Sequence, residues 1–393
     1  MLNKSVLIVA PYVTFPDEPG ANRFIAIAQL LSKHYNVTLL TSRFCHILKK
    51  HRLETPCLDG VRVILIDEPG YNNNVGFARL NSHRIFCHNF EEYLSKMTEK
   101  FDLVYSAYPL IKTNFLLGKF KSKLNFKLII DVQDIWPESI AGPIPILSNM
   151  LGRLLLSPVT YYANKTYSFA DAIVAVSETY MKRADVKKIK DQLKQVVYIG
   201  ADNLYFDCNF IKPEKEKLIA TYIGTMAGSY DLDTIIKASA LCYEQVEIQF
   251  IGTGPHEERL KKLNNELGQH VKFLGVMQHT TAMEVLSLAD LALNPIKDKS
   301  VATITNKLSD YFCCGLPILS CQNNNEVKDL LSLGGGEYYS AGDFKGLAQK
   351  LISLSQNRKR LNEMSEINKI IAEDRFLRTT SYLKILDLVN KII

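Results

Sequence analysis

Short apolar runs of strand length, separated by segments long enough for a helix, recur along all 393 residues in two series. The first series is SVLIVAPY (5–12), NVTLLTS (36–42), VRVILI (61–66), DLVYSA (102–107), KLIIDVQ (127–133) and AIVAVS (172–177). The second is LIATYIGT (218–225), VEIQFIGTG (246–254), VKFLG (271–275), LALNPI (291–296) and LPILSC (316–321). Runs that are apolar on both faces and alternate with helices predict parallel sheets covered on both sides. The restart follows a polar, Lys/Glu/Pro-bearing stretch near 207–217, so two doubly wound domains are expected, 1–205 and 206–372. A last amphipathic helix over 373–393 is expected to pack back on the first of them.

Composition narrows the function classes. With 47% apolar and 22% charged residues the chain is an ordinary globular one, and its longest apolar runs are too short to span a bilayer. The N-terminus runs straight into a strand and reads as no signal peptide, and eight scattered cysteines without a CxxC pair imply neither a zinc site nor a disulfide framework. A reducing cytoplasm is expected. Net charge is +6, with the excess in the first half, and residues 112–127 carry five lysines and no acid. This is either a solvated basic face or a surface for an anionic partner such as membrane headgroups. The aromatic residues among those lysines read as core, so no nucleic acid is expected.

Doubly wound sheets bind ligands at the loops beyond the carboxyl ends of their strands. In the first domain, Gly20, Asn22 and Arg23 open a helix, where free amides favour an anion or a sugar. Asp134, Trp136 (the sole tryptophan) and Glu138 follow a buried strand, an acid and an indole together suiting sugar hydroxyls and a sugar face. In the second, Gly224 ends a strand, Gly252 and Gly254 precede a helix, and Gly275, Val276 and Met277 form an apolar loop whose backbone could read a base edge. Asp231 or Asp233 reads as a helix cap rather than part of a metal-binding DxD pair. His279 reads as a solvent residue.

The stretch ITNKLSDYFCCGLPILSC (304–321) poses the sharpest question. A lysine in the first turn of a helix is disfavoured by the dipole, unless an anion sits there. Thr305, Asn306 and Lys307 with the helix amides make a diphosphate site, and Asp310, one turn on, is placed for vicinal ribose hydroxyls.

With VLIVAPYVTFPDEPGANRF, DIWPES, ADAIVAVS, GADNLYF, IGTGP and NKLSDYFCCGLPIL in view, the chain resembles the family-4 retaining glycosyltransferases of the GT-B fold. The similarity is strongest to the branch that builds bacterial capsule and O-antigen polysaccharides, N-acetylfucosamine transferases among them. The resemblance implies two facing Rossmann-like domains with a cleft between them and transfer, with retention, from a nucleotide-diphosphate sugar, UDP-linked as first choice. It implies a lipid-linked (polyprenyl diphosphate) or oligosaccharide acceptor, at the cytoplasmic face of the inner membrane, and no metal or other cofactor. Asp310 falls at the family's ribose-binding glutamate. Asp134, Glu138 and Arg23 are the expected catalytic residues, Asn22 and Trp136 the acceptor contacts. Gly20, Gly224, Thr225, Gly252, Gly254, Gly275, Val276, Met277, Thr305, Asn306, Lys307 and Asp310 are the expected donor contacts.

The chain departs from that family twice. Ala302 stands where the family has a second glutamate, and Thr225 where an arginine commonly binds the diphosphate. Lys307 is expected to supply the missing charge. The alternatives carried are a UDP-sugar 2-epimerase of the same architecture and a noncatalytic nucleotide-sugar or nucleic-acid binding protein.

Overall fold

The computed structural model describes residues 4–18, 20, 23–74, 76–141, 150–185, 188–202, 216–297 and 303–393. The chain divides into two compact units, Met1–Val197 with Tyr382–Ile393, and Tyr198–Ser381.

The first unit is built on β1 (Ser5–Val9), β2 (Asn36–Ser42), β5 (Val61–Ile66), β6 (Leu103–Tyr108), β7 (Lys127–Val132), β8 (Ala172–Ala175) and β9 (Leu193–Val196). They lie in the order β5-β2-β1-β6-β7-β8-β9, every neighbour parallel. β1 and β6 are central, and their Val6, Leu7, Leu103 and Val104 are fully buried. A small antiparallel pair, β3 (Phe44–Cys45) with β4 (Lys50–His51), stands apart from the sheet.

The second unit holds β10 (Leu218–Ile223), β11 (Val246–Ile251), β12 (Val271–Gly275), β13 (Leu291–Asn294), β14 (Ile318–Ser320) and β15 (Gly336–Tyr338). Their order is β12-β11-β10-β13-β14-β15, again all parallel. This is the doubly wound order, with its switch point between β10 and β13. Whatever follows the carboxyl ends of those two strands is placed at a ligand crevice by topology alone.

The C-terminal segment is not the one helix its pattern suggests. A helix ends at Arg375, a short turn covers Arg378–Ser381, and the last helix is Leu383–Ile392. The break has a cause within the second unit. Ala201 donates its N–H to the Phe376 carbonyl, and its own carbonyl accepts from Arg378 N–H, so the backbone there pairs as a bridge instead of coiling. Tyr382, Ile385, Leu386, Leu388 and Val389 then join the core of the first unit.

The boundary falls at Val197, eight residues before the expected one, and the polar stretch first read as the linker lies largely outside the described residues. No described helix is long and apolar enough to cross a membrane.

Candidate functional site

Lys307 sits in the first turn of the helix Asn306–Cys313, which follows β13. Its side chain does not reach into solvent. It is 8% exposed, with Nζ 3.2 Å from the Tyr222 hydroxyl, 4.5 Å from the Tyr222 ring centre and 3.7 Å from that of Tyr230. Among the described residues it has no carboxylate within ion-pair distance. Burial pushes its pKa from the ordinary lysine value down to about 7. Two aromatic faces offset part of that cost, each worth roughly 1–2 kcal/mol to a desolvated ammonium.

The surroundings are shaped for close approach. Gly224, at the end of β10 with φ +138°, lies so near that an added Cβ would stand 2.8 Å from Lys307 Nζ. The β11 loop packs backbone against backbone on the β10 loop. A Cβ on Gly252 would be 2.2 Å from the Gly224 carbonyl oxygen, and one on Gly254 2.4 Å from that of Met226. Backbone bonds fasten the loops together, from Gly224 N–H to Ile251 O, Met226 N–H to Thr253 O and Gly252 N–H to Gly275 O. Gly252 and Gly254 are therefore glycines that the packing of the two loops requires. Gly252→Ala is expected to cost about 2–3 kcal/mol of stability in the second unit, read by urea denaturation.

Further donors and acceptors lie open at this edge. Thr225 and Asn306 are exposed, and Gly275 has open space where a side chain would be, beside exposed Val276 and half-buried Met277. Thr305 occupies the N-cap position, yet its hydroxyl caps nothing, and among the described residues the buried Oγ1 atoms of both Thr303 and Thr305 have no hydrogen-bond partner. Asp310 is nearly buried with Oδ2 3.5 Å from His279 Nε2. His279 is exposed, as the sequence reading has it, and its hydrogen bond to Asp310 raises its pKa. Asp231, read as a cap, instead accepts from Gly342 N–H, and Asp233 pairs with Arg259. Ala302 lies outside the described residues.

In the first unit the outcome is mixed. Arg23 is not available to any ligand. It is 3% exposed, its Nε is 2.9 Å from Asp131 Oδ2, and it also donates to the Tyr382 hydroxyl. Burial disfavours its charge, but Asp131 outweighs this and lifts its pKa above the usual arginine value. The sequence showed Arg23 at a helix start; it could not show Asp131 waiting on β7. Gly20 at φ +125° is pressed against Ile47 and Thr14. Asn22 lies outside the described residues. Asp134 spends its carboxylate locally, Oδ1 accepting from Ile135 N–H and Oδ2 from the Trp136 indole at 3.0 Å. Its visible work is to orient Trp136. Glu138 is ion-paired with Arg183 at 2.5 Å.

Residues 217–357 match the family model of the glycosyl transferases group 1. That segment contains Gly224, Lys307 and Asp310. No curated protein matches the sequence. Three solved structures are similar along the whole chain. HepE of Anabaena in complex with UDP is 16% identical, with 99% of this chain and 100% of that one covered and a TM-score of 0.71. Sucrose-phosphate synthase from Thermosynechococcus elongatus is 14% identical, with 99% of each chain covered and a TM-score of 0.74. WaaG, a glycosyltransferase involved in lipopolysaccharide biosynthesis, is 14% identical, with 98% and 99% covered and a TM-score of 0.65. The fold is GT-B. At these identities the neighbours establish that fold and its two Rossmann-like domains, not an activity.

Proposed function

We propose that this GT-B protein transfers a sugar from a nucleotide-diphosphate sugar, UDP-linked as first choice, to an acceptor hydroxyl with retention at the anomeric carbon. The observation that carries the reading is Lys307, a buried lysine with no carboxylate counter-ion among the described residues, at the switch point of the second sheet. The group 1 match over the same residues and the UDP in the complex with HepE support it.

In this reading the diphosphate lies over the Gly224 loop and the start of the Asn306–Cys313 helix, where Lys307 and free amides meet it. Asp310 takes the ribose hydroxyls and the Gly275–Met277 loop the base. The bond from the anomeric carbon to the diphosphate oxygen breaks, a bond to the acceptor oxygen forms on the same face, and the acceptor proton passes to the leaving diphosphate. Negative charge grows on that leaving group, and Lys307 with the helix amides stabilises it where it forms. These groups supply the positive charge, so the reaction is expected to proceed in EDTA. Trp136, oriented by Asp134, contributes to the acceptor side, and the setting is bacterial surface polysaccharide assembly.

A thermal-shift panel of nucleoside diphosphates and their sugars, in EDTA, tests the donor site. One base is expected to stabilise the protein by a few kcal/mol at saturation, and Asp310→Ala to lose most of that. No shift from any nucleotide would remove the reading. Lys307 adds a pH signature. Phosphate binding favours the protonated amine, whose pKa in the free protein is about 7. UDP affinity is therefore expected to fall as pH rises from 7 to 9, by up to about tenfold per pH unit. A flat profile in calorimetry over that range would put the diphosphate elsewhere.

A lipid-linked acceptor accords with one surface of the first unit. On the helix Met150–Tyr167, Leu154, Leu155, Val159 and Tyr161 are exposed, while Ala163 and Tyr167 are buried. It packs on the helix Ile111–Leu124 through Phe115 and Tyr162, and Lys112, Lys119 and Lys123 are exposed on that helix. An apolar face beside lysines suits an anionic bilayer surface. Co-sedimentation with phosphatidylglycerol vesicles is expected to exceed that with neutral vesicles, and to drop severalfold in Leu154→Glu/Leu155→Glu.

A further inference from the structure

Two cations of the first unit converge on a single aromatic ring, with no carboxylate paired to either among the described residues. Lys49 Nζ lies 4.7 Å and Arg79 Cζ 5.6 Å from the ring centre of Tyr71. Both also reach Asn74, Lys49 through the side-chain oxygen at 2.5 Å and Arg79 through the carbonyl at 2.6 Å. Among the described residues neither has a carboxylate within ion-pair distance and the buried Nε of Arg79 has no hydrogen-bond partner, although the Arg79 side chain also bonds Tyr12 and Tyr71. Arg79 also stands in the first turn of the 20-residue helix Phe77–Lys96, which has no acid there. Two like charges so placed repel, and burial together with Arg79 lowers the Lys49 pKa. An arrangement like this is costly unless something negative completes it.

The rest of the cluster is neutral and built for a ring. Tyr12 is bonded to His83 at 2.5 Å and Tyr71 to His46 at 2.6 Å. Burial brings both imidazoles down to about 4, so they are uncharged at pH 7. The nearest acid behind them, Glu68, is nearly buried and has its two oxygens on the Ser42 and Ser82 hydroxyls. Asp134 is engaged with the Trp136 indole. Trp136 stacks on His83 at 6.3 Å, and Arg79 lies 5.6 Å from the indole. Tyr12, Tyr71 and Trp136 all follow the carboxyl ends of strands, where a doubly wound sheet takes its ligand.

We propose that Lys49 and Arg79, gathered over Tyr71 at the carboxyl edge of the first sheet, bind an anionic group, phosphate or carboxylate, carried by the sugar acceptor. The role of that ligand as acceptor rests on the glycosyl-transfer reading; the anion site itself rests on the geometry above. Arg79 offers its free Nε and Lys49 a partly desolvated ammonium, while the aromatic rings present faces to the sugar.

Trp136 is the sole tryptophan and touches the cluster, so its fluorescence reports occupancy directly. Glucose 1-phosphate, glucuronic acid and methyl glucoside are titrated into the whole protein, and UDP affinity is measured on the same samples. At least one anionic probe is expected to change the emission saturably and to bind ten times more tightly than methyl glucoside. Whichever of the two binds better separates phosphate from carboxylate. Arg79→Gln is expected to weaken that probe at least tenfold and Lys49→Gln severalfold, with Arg79→Lys intermediate. Equal affinity for methyl glucoside, or unchanged affinity in both glutamine variants, would overturn the proposal. If UDP binds while neither anionic probe does, the anion site is wrong and the transfer reading stands. If UDP fails as well, both fall.

Discussion

Replacing Lys307 by methionine is expected to weaken UDP binding roughly 100-fold while uridine binding stays within about twofold. The asymmetry follows from where the ammonium lies, beside Gly224 and the helix start. Methionine keeps the volume between the Tyr222 and Tyr230 rings but carries no charge, so contacts to phosphate are lost together with the Tyr222 hydroxyl bond and the two cation–ring contacts. The same variant should be more stable than the wild type near pH 6. Lysine in the unfolded chain keeps its ordinary value, whereas burial holds Lys307 at about 7. Below pH 7 the amine is charged in both states, and the folded state carries the whole cost of burying it. Between pH 7 and the unfolded value the wild type regains stability as pH rises, because the unfolded chain then binds the extra proton. Methionine is thus expected to gain on the order of 3 kcal/mol at pH 6, and less as pH climbs towards 10. Urea midpoints across that range check it. A variant that loses uridine and UDP equally, or that is destabilised at every pH, would mean that Lys307 is a structural residue.

The second large effect lies in the first unit. Asp131 is fully buried, takes Nε of Arg23 at 2.9 Å and the Tyr105 hydroxyl at 2.7 Å, and Arg23 in turn reaches Tyr382 of the C-terminal segment. Removing one member leaves a buried charge unpaired, so Asp131→Ala and Arg23→Met are each expected to cost about 3–5 kcal/mol. Arg23→Met/Asp131→Leu should cost clearly less than the sum of the two, since no charge is left behind. Chemical denaturation of the four proteins measures this. Additive losses would show that the two groups do not depend on each other.

The fold was largely legible because its strands are buried on both faces and so announce themselves as continuous apolar runs. The elements that escaped are those lacking such a run. β9 (LKQV) and β15 (GEY) are short edge strands, only partly buried, and β3 and β4 are two residues each. The C-terminal break escaped for another reason: its cause is Ala201, far away in sequence.

The site divides the same way. Lys307 stood out because it violates a local rule, a cation in the first turn of a helix, and the structure shows that first turn at the switch point. What could not be read were the partners. Tyr222 and Tyr230 enclose Lys307, Asp131 takes up Arg23, and His279 stands beside Asp310. Each pair joins residues dozens of positions apart, and no periodicity or cap rule links them. Lys49 and Arg79 went unnoticed because each alone is an ordinary surface cation; only the fold brings both to Tyr71.

The central claim is most directly tested by phosphorus and proton NMR of the stabilising nucleotide sugar, incubated with the protein in EDTA. Water can stand in slowly for the acceptor hydroxyl, so no acceptor need be known. Gradual release of nucleoside diphosphate and free sugar is expected, with the donor's anomeric configuration in the first sugar formed, and no release by Lys307→Met. A saturated protein that leaves the nucleotide sugar intact, or converts it to an epimer still joined to its diphosphate, would contradict it.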